Sequence, residues 1–395
     1  MLKKRLLAAL SLAAVACPAV AVADGHGGEV SGIGRLPVSS LASSAHPDGL
    51  AWPARGWPRA EPGDDVAKEQ LMAAVDALAS PESVVQGRVN ALILVHRGQV
   101  VVERYGEGVT ADTPLYTGSI AKLFNNAVAG VMTRRGMVDV TEPAGAPEWR
   151  APGDPRQAIT FEHLLQMRSG LRWDEEYMNP NSDAFRGYFG EGYDDVAAYV
   201  ARQPLDYAPG EVQEYSSGTS TLLARQMMRK AGGKDAYLAL FEREIARPLG
   251  ITTYVPEFDL AGSPQAGMYS YISGQDLARL TYLYLRDGVW NGIRIFPKGW
   301  VDWSRTTPNA KASVGERDVQ YGAQVQTAFT ALGEDVFGHS GVGTQFAFAF
   351  PERDLVMVIL SSLYDFPPNT SAAQMVPHLF GLIQAFPKDG TPYEQ

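Results

Sequence analysis

Strand-forming runs lie toward the two ends of this chain and are nearly absent between them, which limits the folds open to it. Ala91-Leu92-Ile93-Leu94-Val95 and Val100-Val101-Val102-Glu103-Arg104-Tyr105 flank a His96-Arg97-Gly98-Gln99 turn, the pattern of a hairpin. Far downstream come Val336 to His339, Thr344 to Phe350 and Leu355 to Ser361, the last two joined by a turn at Pro351-Glu352-Arg353-Asp354. Between them, residues from about 138 to 270 read as mostly helical segments separated by Pro and Gly. Helical periodicity is also expected over Val66–Leu78, from Ser119 to about Arg135 with a stop at Gly136, over Ile272–Asp287, and over Ser371–Ala385. The second of these is almost wholly apolar in its middle, Ala127 to Val131, as a helix buried between layers must be. Early and late strands sharing one sheet, with helices around it and a helical block inserted, predict an α/β (α+β) sandwich. No internal repeat is present.

The N-terminus carries an address. Lys3-Lys4-Arg5, an apolar stretch from Leu6 to Val22, and Ala21-Val22-Ala23 before Asp24 form the charged, hydrophobic and cleavage regions of a secretory signal. Residues 1–23 are therefore expected to be removed on export to the periplasm or medium. Cys17, the only cysteine, falls inside that signal, so the mature chain is expected to hold no thiol or disulfide. The alternative is a lipoprotein box at Ala14-Val15-Ala16-Cys17, with Cys17 as lipid anchor. Residues 24–64, rich in Gly, Pro, Ser and Ala, read as an extended or partly disordered leader, and residues 65–390 as the catalytic-size domain. With 34 basic against 44 acidic residues and no basic face, nucleic-acid binding is disfavoured. Beyond the signal, no apolar run is long enough to cross a bilayer.

Ser119 and Lys122 stand three residues apart in Tyr116-Thr117-Gly118-Ser119-Ile120-Ala121-Lys122. On a helix this spacing puts both side chains on one face, and the helix N-terminus favours negative charge developing on the serine oxygen. Alone, the pair could equally be a helix cap and a solvated lysine. Two later stretches add weight: Glu214-Tyr215-Ser216-Ser217-Gly218 and Phe337-Gly338-His339-Ser340-Gly341-Val342-Gly343.

In chain order these three stretches resemble the motifs of the serine β-lactamase and penicillin-binding-protein superfamily: Ser-x-x-Lys, Tyr-x-Asn, and Lys-or-His-x-Gly. The likeness is to the class C-like branch of β-lactamases, D-alanyl-D-alanine carboxypeptidases and esterases, and it spans roughly residues 65 to 390. Ile159 to Leu171 resembles that branch's helix ending in Ser-Gly-Leu, and Ser273 to Leu280 the helix that returns to the sandwich. Trp173 to Asp183 is similar to a stretch of 6-aminohexanoate-dimer hydrolases, which also have serine where Ser217 replaces the motif asparagine. The resemblance implies a central antiparallel sheet flanked by helices. It also implies backbone oxyanion donors at Ser119 and Val342, a role for His339 beside Tyr215, and substrate contacts from Tyr177, Ser217, Ser340 and Gly341. Because asparagine is missing at 217, efficient cephalosporin hydrolysis is not expected, whereas ester or small-amide hydrolysis is.

A serine hydroxyl needs a base, and no Ser-His-Asp arrangement or Gly-x-Ser-x-Gly elbow surrounds Ser119. Lys122 and Tyr215 are the bases on offer, and the sequence leaves open which takes the proton; Tyr215 is assigned here as shuttle to the leaving group, with Lys122 as its electrostatic partner. Glu162 superficially resembles the deacylating glutamate of class A β-lactamases, but its place in the Ser-Gly-Leu helix favours a structural role, leaving deacylation to a water near Tyr215. Trp173, Tyr177, Phe185, Tyr188 and Phe189 suggest an apolar acyl group, or simply the packing of a helical lobe. His26, His46, His96, His163 and His378 show no ligand spacing, so neither metal nor other cofactor is expected. The overall expectation is an exported serine hydrolase acting on a small ester or amide. The alternatives are a D,D-peptidase, a weak β-lactamase, or a non-catalytic cell-wall-binding protein.

Overall fold

The structure, a computed structural model, describes residues 45–79, 89–308, 310–312, 319–329, 335–362 and 376–388. The signal region, Cys17 and Ser371 to Met375 of the expected closing helix lie outside the described residues. The core is a seven-stranded antiparallel sheet built from β1 (Val89–His96), β2 (Gln99–Tyr105), β3 (Val319–Tyr321), β4 (Gln326–Phe329), β5 (Phe337–Gly341), β6 (Gln345–Phe350) and β7 (Leu355–Ser361), in the order β3-β4-β5-β6-β7-β1-β2. The early hairpin therefore pairs directly with the last strand: Leu92 faces Ile359, Ile93 faces Val358 and Leu94 faces Met357.

Both faces of this sheet are covered, which explains why β1 and β7 read as continuous apolar runs rather than alternating ones. One face of β1, Leu92 and Leu94, packs with Phe348 and Met357 against Leu71, Val75 and Leu78 of α1 (Lys68–Ala79) and Leu382 and Ile383 of α5 (Val376–Gln384). The other face, Ala91, Ile93 and Val95, joins Ala347, Ala349 and Val358 against α2 (Ala121–Arg134) and α4 (Gly274–Leu285). Every residue of α2 from Ala121 to Thr133 is buried. Its polar Asn126 is fully employed: Oδ1 accepts from Tyr284 Oη (2.7 Å) and Trp300 Nε1 (2.9 Å), while Nδ2 donates to Ser304 Oγ and the Ala323 carbonyl (2.8 Å each).

The block between residues 138 and 270 consists mainly of short helices, with α3 (Ser217–Ala231) at its centre. The Ser216 side chain caps α3 by accepting from Thr219 N (2.9 Å), and Gly232, at φ +100°, ends it in the left-handed conformation. Two boundaries differ from expectation. Ser270–Ile272 is a short strand, so α4 starts at Gly274, capped by Ser273. Ser119 sits not in an α-helix but on a 3-10 turn, Gly118–Ile120, that leads into α2. The described part of the leader, residues 45–64, is anchored to the domain: Trp57 is buried, its indole donates to the Gln275 carbonyl (3.2 Å), and His46 stacks on Trp52.

Candidate active site

The Gly118–Ile120 turn that carries Ser119 is fixed from both sides. Leu115–Tyr116 pairs with Ser270–Ile272, and Thr117 ties down the next residue by hydrogen bonds to Ser270 Oγ (2.7 Å) and the Ser270 carbonyl (3.1 Å). Gly118 follows at φ +56°, a conformation that costs glycine nothing and lets the chain swing Ser119 to the start of the helical segment. One turn on, Lys122 Nζ lies 3.1 Å from Ser119 Oγ, the contact that the Ser-x-x-Lys spacing predicts.

Lys122 is completely buried, and its amine has two further partners: Ser217 Oγ at 2.9 Å and the Gly267 carbonyl at 2.5 Å. Burial disfavours the ammonium and brings its pKa down to about 7, with the nearby Glu175 carboxylate pulling weakly the other way. Tyr215 lies just before the capped start of α3, its ring centroid 4.7 Å from Lys122 Nζ. An amine poised between its two protonation states thus touches the hydroxyl of a half-buried serine.

The end of β5 runs beside the nucleophile turn at backbone distance. A Cβ placed on Gly118 would lie 3.0 Å from Val342 N, and one on Gly341 would collide with the Thr117 carbonyl and stand 3.0 Å from Ser119 N. The Gly118–Ile120 turn and the end of β5 are therefore in close backbone contact beside Ser119. Ser340 is held in place by its own amide and hydroxyl, which both donate to Gln326 Oε1 (2.9 and 3.0 Å).

Two expected site residues, His339 and Ser217, are fully buried rather than open to a cleft. His339 is fully buried, and its hydrogen bonds run to the Ser340 carbonyl (Nδ1, 2.6 Å) and Tyr321 Oη (Nε2, 3.2 Å). A carbonyl only accepts, so Nδ1 carries the proton and Nε2 accepts from Tyr321. Burial, reinforced by the Lys122 charge, holds this imidazole neutral, with a pKa near 3. His339 lies beside Tyr215 as expected, ring centroids 6.4 Å apart, and Tyr321 packs edge-on to Tyr215 at 5.5 Å, but the buried imidazole sits behind Tyr215 rather than lining the cleft. Ser217, expected to contact substrate, is fully buried in the wall between Lys122 and Glu175. Tyr177 is half-buried and donates its hydroxyl to Glu175 (2.6 Å). Of the other aromatic residues, Trp173 and Tyr188 pack inside the lobe, with Tyr188 Oη donating to the Ser217 carbonyl (3.0 Å), while Phe189 is exposed. Glu162 lies in the Phe161–Leu165 helix with Arg168 Nη2 3.8 Å away, consistent with a structural role.

Sequence reasoning missed Glu175, Gly267 and Tyr321. Glu175 lies within the stretch similar to the dimer hydrolases, yet nothing in its local sequence distinguishes it from Glu176 beside it. Its carboxylate receives four donors: Tyr177 Oη and Ser217 Oγ (2.5 Å) on one oxygen, and Ser217 N (2.9 Å) and the Trp173 indole on the other. Among the described residues, no group of three or more His, Cys, Asp or Glu side chains could hold a metal, and no helix is long and apolar enough to cross a membrane.

The profile of the beta-lactamase family matches residues 81–376. This chain belongs to the beta-lactamase family. A 6-aminohexanoate-dimer hydrolase of Paenarthrobacter ureafaciens is 23% identical to it over 331 residues, 78% of this chain and 82% of that protein. Among solved structures, a Bacillus anthracis protein assigned as a 6-aminohexanoate-dimer hydrolase superposes with a TM-score of 0.66 at 19% identity, covering 88% of this chain and 92% of that one. A family VIII carboxylesterase gives 0.60 at 17% identity, covering 83% and 99%. At these identities the superpositions establish a common fold, and the family match establishes a β-lactamase-related hydrolase.

Proposed function

We propose that this protein is an exported serine hydrolase that cleaves a small ester or amide through an acyl-enzyme on Ser119. The observation that carries the reading is the 3.1 Å contact between Ser119 Oγ and a fully buried Lys122 amine whose pKa lies near 7. At neutral pH a large share of that amine is unprotonated and can take the serine proton as Oγ attacks the carbonyl carbon. The resulting oxyanion sits between the amides of Ser119 and Val342, and Tyr215 passes the proton to the leaving group. Water activated near Tyr215 then releases the acid. The export assignment rests on the N-terminal sequence. Because the asparagine of the second motif is replaced by Ser217, which points into the wall, this reading favours esters and linear amides such as 6-aminohexanoate oligomers over cephalosporins. The test is intact-mass analysis after incubation with a fluorophosphonate, together with turnover of a short-chain p-nitrophenyl ester. A single adduct and turnover, both lost in Ser119→Ala, are expected; no adduct and no turnover would refute the reading and favour a binding role.

A further inference from the structure

The Ser217 hydroxyl has a single proton, and its surroundings decide where that proton points. Glu175 Oε1 lies 2.5 Å away, and an ionised carboxylate only accepts, so the hydroxyl donates to it. Ser217 Oγ must then accept from its other partner, Lys122 Nζ at 2.9 Å. The Gly267 carbonyl, at 2.5 Å from the same amine, also only accepts. A neutral amine has two N–H groups and one lone pair. Both N–H groups are claimed by Ser217 and Gly267, and the third neighbour, Ser119 Oγ at 3.1 Å, is left facing the lone pair.

We propose that Glu175 is a positioning residue of the hydrolase: by drawing the Ser217 proton to itself it makes Ser217 an acceptor, so that the Lys122 lone pair is kept for the Ser119 proton. This rests on the Ser119 acyl-enzyme reading and deepens it. In the step it prepares, the Ser119 O–H proton transfers to Lys122 Nζ while a new Oγ–carbon bond forms and the carbonyl π pair moves onto oxygen. Lys122 becomes an ammonium with three N–H groups; as the oxyanion pair re-forms the carbonyl, the carbon–leaving-group bond breaks, and the leaving group takes the third proton by way of Tyr215. The nucleophile, its base and an orienting carboxylate thus act in series, with a hydroxyl between the last two.

Glu175 is suited to this task because its four donors are not equivalent. The Ser217 amide and the Trp173 indole on Oε2 cannot reverse, whereas the Ser217 and Tyr177 hydroxyls on Oε1 can. In Glu175→Gln the amide oxygen must face the two fixed N–H groups, leaving its NH2 against the hydroxyls. Ser217 then accepts from the glutamine, and its own proton is freed to turn onto the Lys122 lone pair and block it, with Tyr177 as its other neighbour.

The charged and titratable groups facing Lys122 are Glu175 from the 171–182 loop, Tyr215 ahead of α3 and His339 on β5; Tyr177 and Tyr188 adjoin the Glu175–Ser217 wall and Tyr321 adjoins His339. Glu175 is the carboxylate among them, and its charge raises the Lys122 pKa. Glu175→Gln should accordingly lower that pKa and move the acid limb of kcat/KM to lower pH.

The test compares wild type, Glu175→Gln, Ser217→Ala and the double variant by ester turnover, and follows the Lys122 titration by 13C NMR of labelled lysine, which needs no turnover. Expected are a roughly 10²-fold fall in kcat/KM for Glu175→Gln, the size of a general-base contribution, and recovery of about tenfold or more when Ser217→Ala is added, since the blocking hydroxyl is gone. A Glu175→Gln enzyme with wild-type kcat/KM, a loss the second change does not relieve, or an unmoved Lys122 titration overturns the proposal. Failure of the hydrolase reading shows separately, as absence of the fluorophosphonate adduct in wild type. Should Glu175→Gln not fold, Ser217→Ala carries the test: a loss within about tenfold fits a positioning hydroxyl, and complete loss refutes it.

Discussion

Replacing Gly341 by alanine tests the proposed oxyanion hole with the smallest possible change. The added methyl would collide with the Thr117 carbonyl and stand 3.0 Å from Ser119 N and 3.1 Å from Gln345 Cβ, all on backbone or the root of a side chain. None of these can rotate away, so the end of β5 must lift from the Gly118–Ile120 turn and carry the Val342 amide with it. Losing one oxyanion donor costs about 10²–10³ in kcat, roughly 2.7–4 kcal/mol, because the hydrogen bond is made chiefly to charge that appears in the transition state. The expected signature is therefore a fall in kcat of that size for a p-nitrophenyl ester with KM little changed. Fluorophosphonate labelling should slow in parallel, since its phosphoryl oxygen would occupy the same gap. Thermal unfolding serves as the control, because β5 stays paired with β6 from Phe337 to Gly341. A folded Gly341→Ala enzyme within about threefold of wild-type kcat would refute the assignment of Val342 N as a donor.

Two further outcomes follow from groups described above. The acid limb of kcat/KM should lie near pH 7, falling about tenfold per unit below it, because the reactive amine is the neutral form and burial has lowered its pKa to about 7. His339, with a pKa near 3, stays neutral across this range and cannot supply the limb, so a limb above pH 9 would rule out Lys122 as the titrating base. Asn126→Leu should destabilise the protein by about 3–5 kcal/mol in chemical denaturation, since Tyr284, Trp300, Ser304 and the Ala323 carbonyl would lose buried partners together. A change below about 1 kcal/mol would show that the pocket readmits water.

What the sequence disclosed was local or periodic. The Ser119–Lys122 contact depends on a three-residue spacing near a helix start, and it survives although the serine lies on a 3-10 turn rather than in the α-helix itself. The α/β sandwich with a helical insertion was legible because β1 and β7 carry unbroken apolar runs and α2 has an apolar middle. The environment of Lys122 was not legible. Its acceptor at Gly267 is a main-chain oxygen 145 positions away, and a backbone carbonyl leaves no chemical mark in the sequence. Tyr321 and Glu175 reach the site from loops and strand ends whose local pattern carries no chemistry. The burial of His339 and Ser217 escaped the sequence for one reason: a motif position shows that a side chain is near the cleft but not whether it faces the cleft or the wall behind it.

The pairing of β1 with β7 gives the active site a timetable. Ser119 lies in the first third of the chain and Val342 near its end, and the backbone approach of their two segments exists only once β5, β6 and β7 have joined the early hairpin. A growing chain that has not yet reached residue 342 carries the serine and the lysine but not the second amide of the proposed oxyanion hole. On the proposed mechanism, hydrolytic competence is a property of the finished sheet, completed by the last strands to arrive, and these long-range pairings slow folding.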